Sequence, residues 1–247
     1  MPSILRRFSR AALAGCVSVL LVGAPALPLY GAAVGSPAGR LEKGQWVFGA
    51  DADGWGRKLI LGGETQDAVV ATGSHFRGYG LTEWLSVFAR IGGAYMRVKD
   101  PGVTTRDATD SFGGNVLLGA GMKARLWHAP RHRLEWDAAA QYTWIGNTHK
   151  RHNNQGFWQE WQFATTLAKT FGRVTPYAGV KTSAVRMRFT RRVGDVFITS
   201  GTYRQAHAIG PVFGADIALG QDQKTFLNLE TSYIDGPELS LALSIIF

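Results

Sequence analysis

The side chains with the most chemistry in this chain are charged residues set singly among apolar and small neighbours. Arg77, Arg90, Lys123 and Arg125, with His75, fall in the earlier part of the chain. Glu135, Asp137, Glu160, Asp216, Glu230 and Glu238 fall in the later part, where Lys181 breaks the pattern of sign. A buried charge is expensive unless a partner of opposite sign compensates it. Bases from one set of strands facing acids from another across a narrow lumen would neutralise each other as an ion-paired plug; left hydrated, the same residues would line a charged conduit. Small barrels have interiors largely filled by side chains, which favours the plug. Lys123 and Arg125 precede a short turn-like stretch, 128–132, and Glu135 and Asp137 follow it, so the four are expected to be neighbours on adjacent strands.

Catalysis by a histidine needs a hydroxyl or carboxylate beside it. His207, with Asp195 in the preceding stretch, is the pairing that fits this pattern, and no nucleophile motif accompanies it. His149 and His152 have i, i+3 spacing, which offers two ligands where a structural metal site takes four. With Lys150 and Arg151 between them, they suit attraction to lipopolysaccharide phosphates better. The expectation is a protein without enzymatic activity, metal or cofactor.

These residues must be held by extended chain, because the surrounding pattern has a period of two. Ten alternating segments can be traced: 45–52, 68–78, 84–98, 112–127, 134–146, 157–170, 175–190, 203–219, 225–234 and 238–247. Most meet the nine to eleven residues that a tilted strand needs to cross a bilayer. Short connections, 79–83, 128–132, 171–174 and 220–224, alternate with longer ones, 53–67, 99–111, 147–156 and 191–202, and this asymmetry of rims is that of an outer-membrane barrel. The fold expected is an all-β, antiparallel transmembrane β-barrel of ten strands, or eight if the first or second segment fails. The weakest assignment is residues 57–63, whose Lys58-Leu-Ile-Leu61 alternatively extends the first hairpin.

An Arg or Lys on the lipid side at mid-bilayer costs about 2–4 kcal/mol, and that penalty sets the faces. Leu134, Trp136, Ala138, Ala140, Tyr142 and Trp144 are assigned to lipid, and Glu135, Asp137, Gln141 and Thr143 to the lumen. Val116, Leu118, Ala120 and Met122 likewise oppose Lys123 and Arg125; Trp161, Phe163 and Leu167 oppose Glu160. Trp46, Trp84, Trp127, Tyr177 and Tyr233 stand near segment ends, where aromatic girdles form.

Composition permits this fold. The 247 residues include 31 Gly, only 18% charged residues and 11% aromatics, and no twenty-residue apolar run occurs in the body of the chain. The net charge of +9 is spread along the chain, which argues against nucleic acid as a partner. Residues 1–33 read as a signal peptide and short leader, with Arg6, Arg7 and Arg10 before the apolar stretch 11–24, and 34–247 as the barrel. Leu13-Ala14-Gly15-Cys16 matches a lipobox, but the apolar run continues past Cys16 instead of ending there. If Cys16 leaves with the leader, the remaining chain can form no disulfide.

The last ten residues, Glu238 to Phe247, place Leu239, Leu241, Leu243, Ile245 and Phe247 on one face and Glu238, Ser240, Ala242 and Ser244 on the other, as a closing strand would. Together with Tyr79-Gly-Leu-Thr-Glu-Trp-Leu-Ser-Val-Phe88 and Pro176-Tyr-Ala-Gly-Val180, this ending resembles the barrel domain of opacity-type and OmpA-like surface proteins of Gram-negative bacteria, over 45–247. The resemblance implies an outer-membrane location and a terminal Phe247 read by the barrel assembly machinery. It also implies contact with outer-membrane lipid and lipopolysaccharide, and long loops available to an extracellular ligand. That family mixes adhesins, small pores and anchors, so the expected role is structural or adhesin-like, with a small-solute channel as the alternative.

Overall fold

The computed structural model describes residues 41–61, 63–99, 109–149, 154–193 and 196–247. The expected leader, 1–33, lies outside them. The chain forms β1 (Trp46–Leu61), β2 (Glu64–Gly80), β3 (Leu85–Lys99), β4 (Thr109–Ala129), β5 (Leu134–His149), β6 (Asn154–Lys169), β7 (Val174–Val193), β8 (Val196–Gln205), β9 (Ile209–Leu219), β10 (Thr225–Tyr233) and β11 (Pro237–Ile246). Every pairing is antiparallel. β11 closes on β1 from Val47 opposite Ile246 to Trp55 opposite Glu238. β8 and β9 pair in succession with the far and near ends of β7, so they are one interrupted stave, and the barrel has ten.

The first segment is longer than the sequence reading gave it. Residues 53–61 continue β1 instead of opening a loop, and β2 returns from Glu64 in unbroken register, Leu61 opposite Glu64. Gly63, at φ +94, turns the chain in a conformation that a side chain would strain. The described residues of the connections expected over 99–111, 147–156 and 191–202, namely 99, 109–111, 147–149, 154–156, 191–193 and 196–202, are likewise strand, because paired backbone needs no apolar side chains to continue. Three register shifts interrupt the ladders among the described residues: at Tyr95 between β3 and β4, at Leu126 between β4 and β5, and between Arg191 and Arg192 where β7 pairs with β8.

The wall changes its stave number along the axis. β10 and β11 are only 9 and 10 residues long, against 16 for β1 and 20 for β7. Their turn packs at Gly236 against the backbone of Gly56, where a Cβ would lie 3.3 Å from it. Beyond that point β1 pairs directly with β8, Leu59 opposite Gln205 and Ile60 opposite Arg204, and the Ala206 N–H donates to the Lys58 carbonyl at 2.9 Å. Ten staves therefore surround the half that carries the chain end at Phe247, here termed the terminal half. Eight surround the distal half. Barrel diameter grows with strand number, so the distal half is the narrower.

The outward face is apolar over most of the wall. Ile91, Leu118, Met122, Trp161, Phe163, Leu167 and Phe213 are all exposed on it. At the terminal rim Trp46 packs on Tyr79 with centroids 4.7 Å apart, and Phe48 meets Phe247 edge to face at 5.6 Å. Backbone bonds also tie the last residue to the first strand: the Phe247 N–H donates to the Trp46 carbonyl at 2.9 Å.

The change from ten staves to eight predicts two oxidative cross-links. Ala50→Cys with Leu243→Cys should join β1 to β11, and Ile60→Cys with Arg204→Cys should join β1 to β8, each detectable by mass spectrometry of the folded protein. Cross-linking of the first pair without the second would contradict the narrowing.

Candidate functional site in the lumen

The inward positions alternate along every strand, and they fill the barrel in layers. At mid-height Arg57 from β1 and Lys181 from β7 meet three glutamates. The Arg57 guanidinium bonds Glu160 at 2.7 Å and also contacts Glu238. Lys181 Nζ lies 2.8 Å from Glu238 and 3.5 Å from Glu230. All five side chains are buried. Neutral donors complete the carboxylates: Ser183, Gln162 and the Trp158 indole N–H donate to Glu160 at 2.6, 2.8 and 3.0 Å, and the Tyr177 hydroxyl donates to Glu230 at 2.9 Å. Asn228 links Tyr177 to Asp216, donating at 3.0 and 2.7 Å.

A second cluster lies on the β1–β3 side. Arg90 reaches Asp51 at 2.9 Å and Asp53 at 2.5 Å, and its Nε donates to Ser74 at 3.1 Å. Ser74 and Ser240 donate to Asp51 and Asp53 at 2.5 and 2.6 Å. Such fans of charge-assisted bonds are what a buried carboxylate requires.

Among the described residues, the inward side chains of the distal half are mainly apolar, with Gln66 and Asn115 as buried polar exceptions. Trp55, Leu59, Val70, Met96, Leu117, Ile145, Trp158 and Met187 form one cluster, none more than 1% exposed. Eight staves leave an interior that side chains of this size can fill. The terminal half is different: between the charged layer and the rim is a recess of about 630 Å3 of atom-free space, part of it open to solvent, bounded by Val47, Phe76, Phe88, Arg90, Lys123 and Ser244 among others. The ring tips of Phe76 and Phe88 lie against Gly49 and Gly121, where an added Cβ would come within 2.3 Å of them. Glycine at those two positions lets the rings line the wall instead of crossing the lumen.

Most of the residues singled out in the sequence lie in this lumen, with different partners from those expected. Glu160, Lys181 and Glu230 belong to one network, and Asp216 joins it through Asn228 and Tyr177. Arg90 pairs with β1 and not with the distant acids. Arg125 stands opposite Asp137 in register, whereas Lys123 sits over the Phe88 ring at 5.8 Å. The bulge at Leu126 places Glu135 opposite His128, whose Nε2 is 3.4 Å away. Arg77 and His75 are corrections: both are exposed on the outward face, and the Arg77 guanidinium lies 5.0 Å from the Phe48 ring in the terminal girdle. β2 presents Thr72, Ser74, Phe76 and Gly78 inward, one residue out of phase with the expected face. Tyr177, expected in a girdle, is buried in the lumen. The charges are therefore not divided between a basic and an acidic wall, since β1 alone supplies Asp51, Asp53 and Arg57.

Those three were missed because the outward residues between them, Ala50, Ala52, Gly54 and Gly56, are too small to mark a lipid face. The inward alternation Asp51, Asp53, Trp55, Arg57, Leu59 was the signal that could have found them. Elsewhere, His207 is exposed, with its backbone N–H on the Asp235 carboxylate at 3.1 Å, while Asp195 and His152 lie outside the described residues. Among the described residues no group of three or more His, Cys, Asp or Glu side chains is arranged to hold a metal.

No protein-family model matches the chain, and no curated protein matches it. Solved structures do. The translocator domain of the autotransporter NalP from Neisseria meningitidis is 12% identical, covering 84% of this chain and 89% of its own, with a TM-score of 0.45. The outer membrane protease OmpT from Escherichia coli is 10% identical, covering 82% and 93%, with a TM-score of 0.43. The outer membrane protein OprG from Pseudomonas aeruginosa is 8% identical, covering 85% and 98%, with a TM-score of 0.42.

Removing one partner of a buried ion pair costs about 3–5 kcal/mol. Lys181→Met is therefore expected to destabilise the folded protein by about that amount in urea unfolding from lipid vesicles. Adding Glu238→Gln to Lys181→Met should recover part of the loss. A double variant no more stable than the single one would show that the ammonium does not compensate Glu238.

Proposed function

We propose that this protein is a non-conducting barrel of the bacterial outer membrane with a structural or adhesin-like role, and that its lumen is sealed by a charged layer and a packed distal half. The observation that carries this reading is the apolar cluster from Trp55 to Met187, which packs the distal lumen above an ion-paired charged layer. The outer-membrane assignment is supported by the closed ladder, in which every strand has a paired neighbour on both sides, and by the apolar outward face with its terminal aromatic girdle. Phe247, paired to Trp46, serves in this reading as the mark recognised by the barrel assembly machinery. The distal rim, where β4 and β7 run to 21 and 20 residues, is the part offered to lipopolysaccharide and to an extracellular ligand. The kinship with opacity-type and OmpA-like barrels belongs to the same proposal.

A small-solute channel is the second reading. The open recess at the terminal rim favours it, since a solute could enter there, but passage would require the apolar cluster to move.

Planar bilayers separate the two. The refolded protein should insert without single-channel steps, and Trp158→Ala combined with Met96→Ala, which hollows the distal lumen, should introduce them. Steady steps from the unaltered protein would overturn the non-conducting reading.

A further inference from the structure

Three arginines crowd one place on the outward face of the distal half. Arg186 and Arg204 stand directly opposite each other across β7 and β8, and Arg188 is two residues along the same face of β7. All three are exposed. Directly opposed cross-strand side chains have Cβ atoms about 4.5–5.5 Å apart, and like charges so placed repel. Neither β7 nor β8 contains an acid. The β6 residues facing Arg186 and Arg188 are Gln159 and Phe157, and the β1 residue facing Arg204 is Ile60. Asp67, the outward acid nearest in sequence to this seam on β2, stands opposite Lys58. Nothing in the described wall at these positions answers the three positive charges.

Their height on the barrel says what could. Along β7 the outward residues nearer the terminal rim are Ala178, Val180, Thr182 and Ala184, with no charge among them, and Arg186 is the first. On the neighbouring strand Trp161 stands opposite Ala184, one step before Arg186, and packs on Tyr142 with centroids 4.8 Å apart. Tryptophan and tyrosine settle at the level of lipid headgroups. Along β7 the arginines thus begin where the uncharged outward run ends, one step past this aromatic pair, with Phe157 and Ile60 as their exposed apolar neighbours.

We propose that Arg186, Arg188 and Arg204 bind the phosphomonoester headgroup of a lipid in the surrounding leaflet. A guanidinium presents paired donors that match phosphate oxygens, and three of them on two strands form a fixed platform for one dianionic group or two adjacent ones. The bound phosphate relieves the repulsion between Arg186 and Arg204 and tethers the lipid at the seam where β1 meets β8. This assignment deepens the outer-membrane reading, and it fails separately from it, because the barrel can sit in the membrane with the arginines merely hydrated.

The test is native mass spectrometry of the detergent-solubilised full chain titrated with phosphatidate, phosphatidylcholine and inorganic phosphate. Unaltered protein should retain phosphatidate, and R186Q/R188Q/R204Q should retain it at least about tenfold more weakly, in line with the loss of charge-assisted bonds. R77Q, at the opposite rim, should bind as the unaltered protein does. Heat-modifiable migration confirms that each variant is folded, and R186Q alone gives a milder change should the triple variant fail to fold. Equal retention of phosphatidate by the folded triple variant would overturn the proposal. So would equal retention of phosphatidylcholine by the unaltered protein, or inorganic phosphate displacing phosphatidate at millimolar concentration, which would assign the site to free phosphate.

Discussion

A charge inside a closed barrel has water only where the lumen is open, and on the other side of the wall lies hydrocarbon. Each buried charge must therefore find its partner across the lumen or along its own strand. In this protein Arg57, Arg90 and Lys181 are set against Asp51, Asp53, Glu160, Glu230 and Glu238, so carboxyl groups outnumber cations. Serine, threonine, glutamine, tyrosine and tryptophan donors make up the difference. The network draws on β1, β2, β3, β6, β7, β10 and β11. It works as a set of cross-braces: none of these strands can shift register by one residue without moving its charge, or in β2 its hydroxyls, from lumen to lipid.

The narrowing follows from the same economy. β10 and β11 end where Arg57 and Glu238 meet, and Arg57 also lies 3.4 Å from the Ile234 carbonyl at the hairpin's turn. Beyond that level two fewer staves enclose the lumen, and the space left is small enough for Trp55, Trp158, Met96 and Met187 to fill. Toward the terminal rim ten staves hold the wall apart, and phenylalanines laid on glycines keep the recess open. One short hairpin thus separates a packed half from an open one.

Much of this was legible in the sequence. Alternation in β4, β5 and β6 fixed inside and outside correctly, because aromatic and aliphatic residues there leave one reading, and the ending at Phe247 marked the closing strand. β1 and β2 were harder. The outward face of β1 is alanine and glycine, so its far half read as a loop and hid Asp53 and Arg57. On β2 the inward Phe76 and the outward Arg77 invert the usual assignment: the phenylalanine packs on Gly49, and the arginine stacks on Phe48 at the rim, where a lipid-facing charge costs little. The partners were beyond any sequence pattern, since Arg57 and Glu160 are 103 residues apart and which strands face each other depends on how the barrel closes.

The central claim is that the lumen is open at the terminal end and sealed beyond the charged layer. Single cysteines along the inward face of β4, in a chain carrying Cys16→Ser, test it through their rate of modification by a small charged thiol reagent in lipid vesicles. Lys123→Cys, bordering the recess, should react readily, and Leu117→Cys, inside the apolar cluster, should not react until the protein is unfolded. Comparable rates at the two positions in the folded protein would contradict a sealed lumen.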